Sequence, residues 1–94
     1  MAMKTATFSG TLKFRDGEEA TTLLELTSSR IKLTTTAKDV VNREVWNRSH
    51  VARLRVFAAR PGQWMPRLLL KDGKEVTLGV IMTEVEADTL ASVF

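Results

Sequence analysis

Along the first half of the chain, apolar side chains fall on every second position. Ala6, Phe8, Gly10, Leu12 and Phe14 alternate with Thr7, Ser9, Thr11, Lys13 and Arg15, the period of a strand with one buried face. Gly10 reads as a bend where a sheet curls. Asp16-Gly17-Glu18-Glu19 turns the chain, and Thr21 to Thr27 predicts a second strand with Leu24 and Leu26 inward. Ser28-Ser29 is a tight turn before a third strand from Arg30 to Thr36, with Ile31 and Leu33 inward. Lys38 to Arg43 is polar and irregular, the longest expected connection, and Val45-Trp46 suggests a short fourth strand. Ala52, Leu54, Val56 and Ala58 alternate with Arg53, Arg55 and Phe57 in a fifth. Pro61 to Pro66 reads as a loop bracketed by prolines, with Trp64 either exposed in it or folded back over one end of the barrel.

The last third is the clearest. Leu68 and Leu70 precede Asp72-Gly73, and Val76 and Leu78 follow it. That spacing predicts a hairpin with a two-residue type I′ turn, which needs positive φ at both central residues. After Gly79 the period changes to 3.6, with Ala87, Leu90, Ala91 and Phe94 on one stripe. Thr83 and Glu86 have capping-box spacing, and Met82 is placed to staple against Ala87. The pattern therefore predicts a single domain over residues 1–94, mainly β with one C-terminal α-helix. Seven short strands form a curled antiparallel sheet or barrel, and the amphipathic helix caps its open end. No internal repeat, low-complexity tract or linker is evident.

Composition narrows the class without naming a function. Ninety-four residues, 44% apolar and 27% charged, fit one small globular domain. With no cysteine, disulfides, thiol chemistry and thiolate metal sites are excluded. Met1 to Gly10 has neither the apolar run of a signal peptide nor a membrane span, so a cytoplasmic protein is the expectation. Asn47-Arg48-Ser49 matches the glycosylation sequon, which is discounted on the same ground.

The net charge of +3 hides an uneven distribution. Residues 43–71 carry seven basic groups, Arg43, Arg48, Arg53, Arg55, Arg60, Arg67 and Lys71, against Glu44 alone. Residues 72–94 carry Lys74 against five acidic groups. Such asymmetry bears on partners rather than fold, and arginine suits forked contacts with carboxylates and phosphates. The plainer reading is a solubilising decoration of outer strand faces.

Catalysis finds little footing. His50 is the only histidine, there is no tyrosine, and no triad spacing appears. Ser49 and His50 are adjacent, which in a strand points them to opposite faces. One histidine without cysteine leaves only carboxylates for a metal. Glu84, Glu86 and Asp88 cluster, but acids in a first helical turn are explained by the helix dipole. Neither a Walker-type nor a Rossmann-type glycine loop is present. The expectation is a non-enzyme with no cofactor, no metal and no small-molecule substrate.

The order of strands and helix is similar to the pleckstrin-homology-like (PH-like) fold, especially its small bacterial members, over nearly the whole chain. The resemblance rests on Leu23 to Thr35, like a strand pair with a short turn, and on Ser49 to Val56, like the entry to a second sheet. It rests also on Leu68 to Phe94, like a closing hairpin and helix. The superfamily's helix tryptophan is absent, with Leu90 and Phe94 in the helix instead, which departs from eukaryotic-type members. The resemblance implies binding rather than catalysis, to anionic lipid headgroups in some members and to peptides or proteins in many others. A bacterial or phage accessory protein fits the style of the chain.

The reading that follows is a protein- or peptide-binding module acting through Arg48, Arg53, Arg55, Phe57, Arg60, Trp64 and Arg67, with self-association of basic middle and acidic tail included. Trp64 beside Arg60 and Arg67 suits an interface anchor, or a wedge into an anionic membrane or phosphoinositide surface. Nucleic-acid binding ranks lower, because one phenylalanine beside Arg53 and Arg55 is thin for base stacking.

Overall fold

The structure, a computed structural model, describes residues 5–13 and 17–94. Phe14, Arg15 and Asp16, the expected end of the first strand and start of its turn, lie outside the described residues. The strands are β1 (Ala6–Lys13), β2 (Glu19–Leu26), β3 (Arg30–Ala37), β4 (Val40–Asn47), β5 (Val51–Arg60), β6 (Gln63–Leu70) and β7 (Glu75–Thr77), followed by α1 (Glu84–Val93). They form two antiparallel sheets, ordered β1-β2-β3-β4 and β5-β6-β7. The mainly β class and C-terminal helix agree with the pattern reading. The closed barrel does not: among the described residues no ladder joins the sheets, and a 3₁₀ turn at Arg48–His50 leads the chain from one to the other.

The period-two rows explain the packing. Phe8, Leu24, Leu26, Ile31 and Leu33 leave the first sheet on one face and meet Val51 and Leu68 from the second. Leu78, Val80 and Met82 follow β7 into the same cluster, and Ala87 and Leu90 join from α1. Thr22 is fully buried among them and donates its hydroxyl to the Gly10 carbonyl at 3.3 Å.

Three connections differ from the sequence reading. Residues 38–43 are no long connection: Ala37 pairs with Val40 across Lys38-Asp39, and β4 then runs eight residues in unbroken register with β3. Only Lys38 has positive φ there, at 53°. Residues 61–66 are no loop either. Arg60 pairs with Gln63 across Pro61-Gly62, so Trp64, Met65 and Pro66 lie inside β6. At the last hairpin the Gly73 N–H donates to the Leu70 carbonyl at 3.0 Å and the Leu70 N–H to the Lys74 carbonyl at 2.8 Å. Gly73 takes φ 93° and Asp72 does not turn positive, which makes a three-residue loop of the bulged kind rather than a type I′ turn. The Asp72 side chain accepts from the Lys74 N–H at 3.0 Å and fixes that geometry.

Beyond β7 the chain continues along β6. The Leu78 N–H donates to the Pro66 carbonyl at 2.9 Å, and Trp64 and Met82 exchange two bonds of 2.9 Å. Between them the chain buckles, with the Val80 N–H donating to the Leu78 carbonyl at 2.8 Å. This buckle lies directly on β1: a Cβ at Gly10 would sit 2.7 Å from the Ile81 carbonyl oxygen. Gly10 therefore permits a close backbone approach between the sheets, beyond the bend its position suggests.

The helix starts as its sequence indicates. Thr83 Oγ1 accepts from the Glu86 N–H at 3.2 Å, and Glu86 Oε1 accepts from the Thr83 N–H at 3.1 Å. Met82 and Ala87, the two halves of the expected staple, are both buried. The stripe is shifted at its far end, where Ala91 is exposed and Val93 joins Phe94 against the core. The helix packs on β5, β6 and β1.

Candidate functional site

Strand register decides which arginines share a surface. Leu54 opposes Leu68 and Val56 opposes Pro66 on the core side of the second sheet. The alternate positions therefore face outward: Arg53 opposite Leu69, Arg55 opposite Arg67, and Phe57 opposite Met65. β7 completes two rows with Glu75 beside Leu69 and Thr77 beside Arg67. The outer face is thus three arginines interleaved with Phe57, Met65 and Leu69, carrying Glu75 as its acid.

Arg67 is held in place. Its Nε donates to Thr77 Oγ1 at 3.3 Å, its Nη1 lies 3.6 Å from Glu75, and its guanidinium lies 4.7 Å from the Phe57 ring centroid. All these partners are at least partly exposed, so the set orients the side chain more than it stabilises the fold. Among the described residues, the side chains of Arg53, Arg55 and Arg60 make no ion pair or hydrogen bond. Arg55, Arg67, Leu69 and Glu75 line a groove of about 230 Å³.

The other expected site residues fall elsewhere. Arg60 is exposed at the end of β5 and lines a separate groove of about 470 Å³ with Lys13, Gln63 and Met65. Trp64 is neither in a loop nor fully exposed. It is half-buried, and it packs against the core from β6. Its main-chain bonds to Met82 fix it there.

Arg48 works inside the molecule. Its Nη1 donates to the Thr27 carbonyl at 2.7 Å, its Nη2 to the Val93 and Phe94 carbonyls at 3.1 and 2.9 Å, and its guanidinium lies 5.0 Å from the Phe94 ring. The last turn of α1 has no basic residue of its own, so Arg48 supplies the cation that the helix C-terminus favours. His50 is exposed and lines a cleft of about 350 Å³ with Trp46, Leu70 and Asp72.

Chemically the outer face can hold acidic groups through free guanidinium forks and cover apolar ones with Met65 and Leu69. No group of three or more histidine, aspartate or glutamate side chains is placed to hold a metal among the described residues. No helix among them is long and apolar enough to cross a membrane. Sequence reading found Arg53, Arg55 and Phe57 by alternation. It missed Met65, because residues 61–66 read as a loop, and Leu69 and Glu75, because only strand register shows that the polar side of the last hairpin lies beside Arg53 and Arg67. Comparison with family models, curated proteins and solved structures found no match to this chain.

Proposed function

We propose that this chain is a non-enzymatic binding module of PH-like architecture that holds an acidic, partly apolar segment of a partner protein or peptide across the outer face of β5, β6 and β7. The observation that carries the reading is that Arg53 and Arg55, in register with Leu69 and Arg67 and followed by the Phe57–Met65 pair, stand unengaged. Free cations next to apolar side chains on a flat strand face suit a ligand that carries both carboxylates and apolar groups. The PH-like part is supported by four strands, then three, then a helix, with the second sheet entered at Val51.

Two competing ligands fit less well. A base needs an open aromatic face, and Arg67 already lies over Phe57. A membrane wedge needs a protruding aromatic, and Trp64 packs against the core.

The test is fluorescence anisotropy with three probes: a labelled glutamate-rich peptide containing leucine and phenylalanine, single-stranded DNA of equal charge, and vesicles containing anionic lipid. The peptide is expected to bind best, and Arg53→Glu with Arg55→Glu is expected to weaken it at least about tenfold with an unchanged melting curve. Tighter binding of DNA or vesicles than of the peptide overturns the reading, as does peptide binding untouched by the double reversal.

A further inference from the structure

Four large apolar side chains are exposed among the described residues, and three of them stand on one strand: Val40 at 60%, Val41 at 50% and Val45 at 52%. That strand, β4, is the outer strand of the four-stranded sheet, so one of its sides has no hydrogen-bonding neighbour. Exposed strand edges are normally guarded by lysine, proline, bulges or shortness. The other outer strands follow that rule. β1, although unbroken, ends in Lys13, β5 carries Arg53, Arg55 and Arg60 with two register shifts, and β7 is three residues long. β4 has eight residues, no proline, no glycine, no lysine and no register shift. Its Arg43 and Glu44 cancel in charge.

The strand also reads nearly the same in both directions. From Val40 to Trp46 it runs apolar, apolar, Asn42, Arg43, Glu44, apolar, apolar. A two-fold axis perpendicular to a sheet keeps every residue on its own face, so an opposed pair must differ by an even number of positions. Centring the axis on Arg43 meets that condition. It sets Val41 against Val45, Val40 against Trp46, and the Asn42 amide against the Glu44 carboxylate, each twice. The only like-charged pair is Arg43 with its own mate. Moving the axis to Glu44 opposes two glutamates and separates Val41 from Val45.

We propose that two copies of this chain pair through β4, antiparallel about a two-fold axis at Arg43, joining their four-stranded sheets into one continuous sheet. Both exposed edges are consumed in the pairing, so the assembly closes at two. This interface is independent of the arginine face on the second sheet.

Because the chain contains no cysteine, single cysteines report the register directly. Arg43→Cys places two thiols across the axis, within the Cα separation a disulfide spans, whereas Val45→Cys leaves them several residues apart. Rapid disulfide dimer formation under mild oxidation is expected for Arg43→Cys and little for Val45→Cys. Light scattering of the unmodified chain over about a hundredfold range of concentration should show a dimer that dissociates on dilution. Val41→Lys with Val45→Lys should weaken it at least about tenfold, with an unchanged circular dichroism spectrum. A monomer throughout, a dimer that survives both lysines, or equal cross-linking at the two positions overturns the proposal. So does a monomer that instead takes up a foreign extended peptide along β4.

Discussion

A methyl group at Gly10 would meet two backbone atoms, the Ile81 oxygen at 2.7 Å and its nitrogen at 3.4 Å. Neither can swing aside as a side chain would, because the adjacent Met82 is bonded twice to Trp64. Gly10→Ala is therefore expected to cost about 2 to 3 kcal/mol in a denaturant titration. Gly79→Ala, whose Cβ would meet a Leu12 methyl at 3.2 Å, should cost distinctly less. Thr83→Ala removes one half of the capping box and should cost about 1 kcal/mol in the same titration, with Thr83→Ser restoring most of it. The capping box was legible in the sequence because both partners sit within one turn. The need for Gly10 was not, because the atom it accommodates lies near the other end of the chain.

Elements were legible where one face is buried, as in β2 and in the inward row of β3; of the row expected in β5, Leu54 and Val56 pack on the core while Ala52 and Ala58, beside its two register shifts, are exposed. β4 was legible only at Val45-Trp46, for a physical reason. Its core-side positions opposite Leu33 and Thr35 are Glu44 and Asn42, both exposed, so no apolar row marks the strand. The first half of β6 escaped for the opposite reason: apolar residues occupy both faces of the strand, and Pro66 suggests a break. Its proline is tolerated because the Pro66 carbonyl meets Leu78 just past the end of β7, where no further ladder donor is required. Trp64→Ala accordingly tests packing before it tests binding, and should lower stability by about 2 kcal/mol. Arg48 belongs at this scale too, since it joins the β2–β3 turn, the crossover between sheets and the end of α1. Arg48→Met is expected to cost about 2 kcal/mol and to lower the melting temperature by roughly 10 °C. A melt within a degree or two of the parent would show that the Arg48 contacts carry no stability.

For the whole molecule, charge and stability separate. The three ion pairs among the described residues, Lys13–Glu19, Lys38–Glu18 and Arg67–Glu75, are all exposed. Pairs of this kind contribute little, and salt screens them. Raising salt from low to moderate should thus leave the melting temperature nearly fixed while it weakens the peptide binding proposed for the arginine face. The basic excess of residues 43–71 was legible as a sum, but not as a surface. The fold divides it, sending Arg53, Arg55 and Arg67 to one face, Arg48 inward, and Arg43 to an edge of the other sheet. The two sheets also differ from their junction in how the chain must reach them. Each sheet is a meander of sequence neighbours, so its hairpins can zip locally, whereas seating β1 on the buckle at Ile81 closes the long loop from Gly10 to Ile81. Loop-closure entropy places that seating late in folding, after the barrier. In a stopped-flow chevron, Gly10→Ala should then speed unfolding and leave the refolding limb almost where it was. A slowed refolding limb would instead put the meeting of β1 and Ile81 inside the folding nucleus.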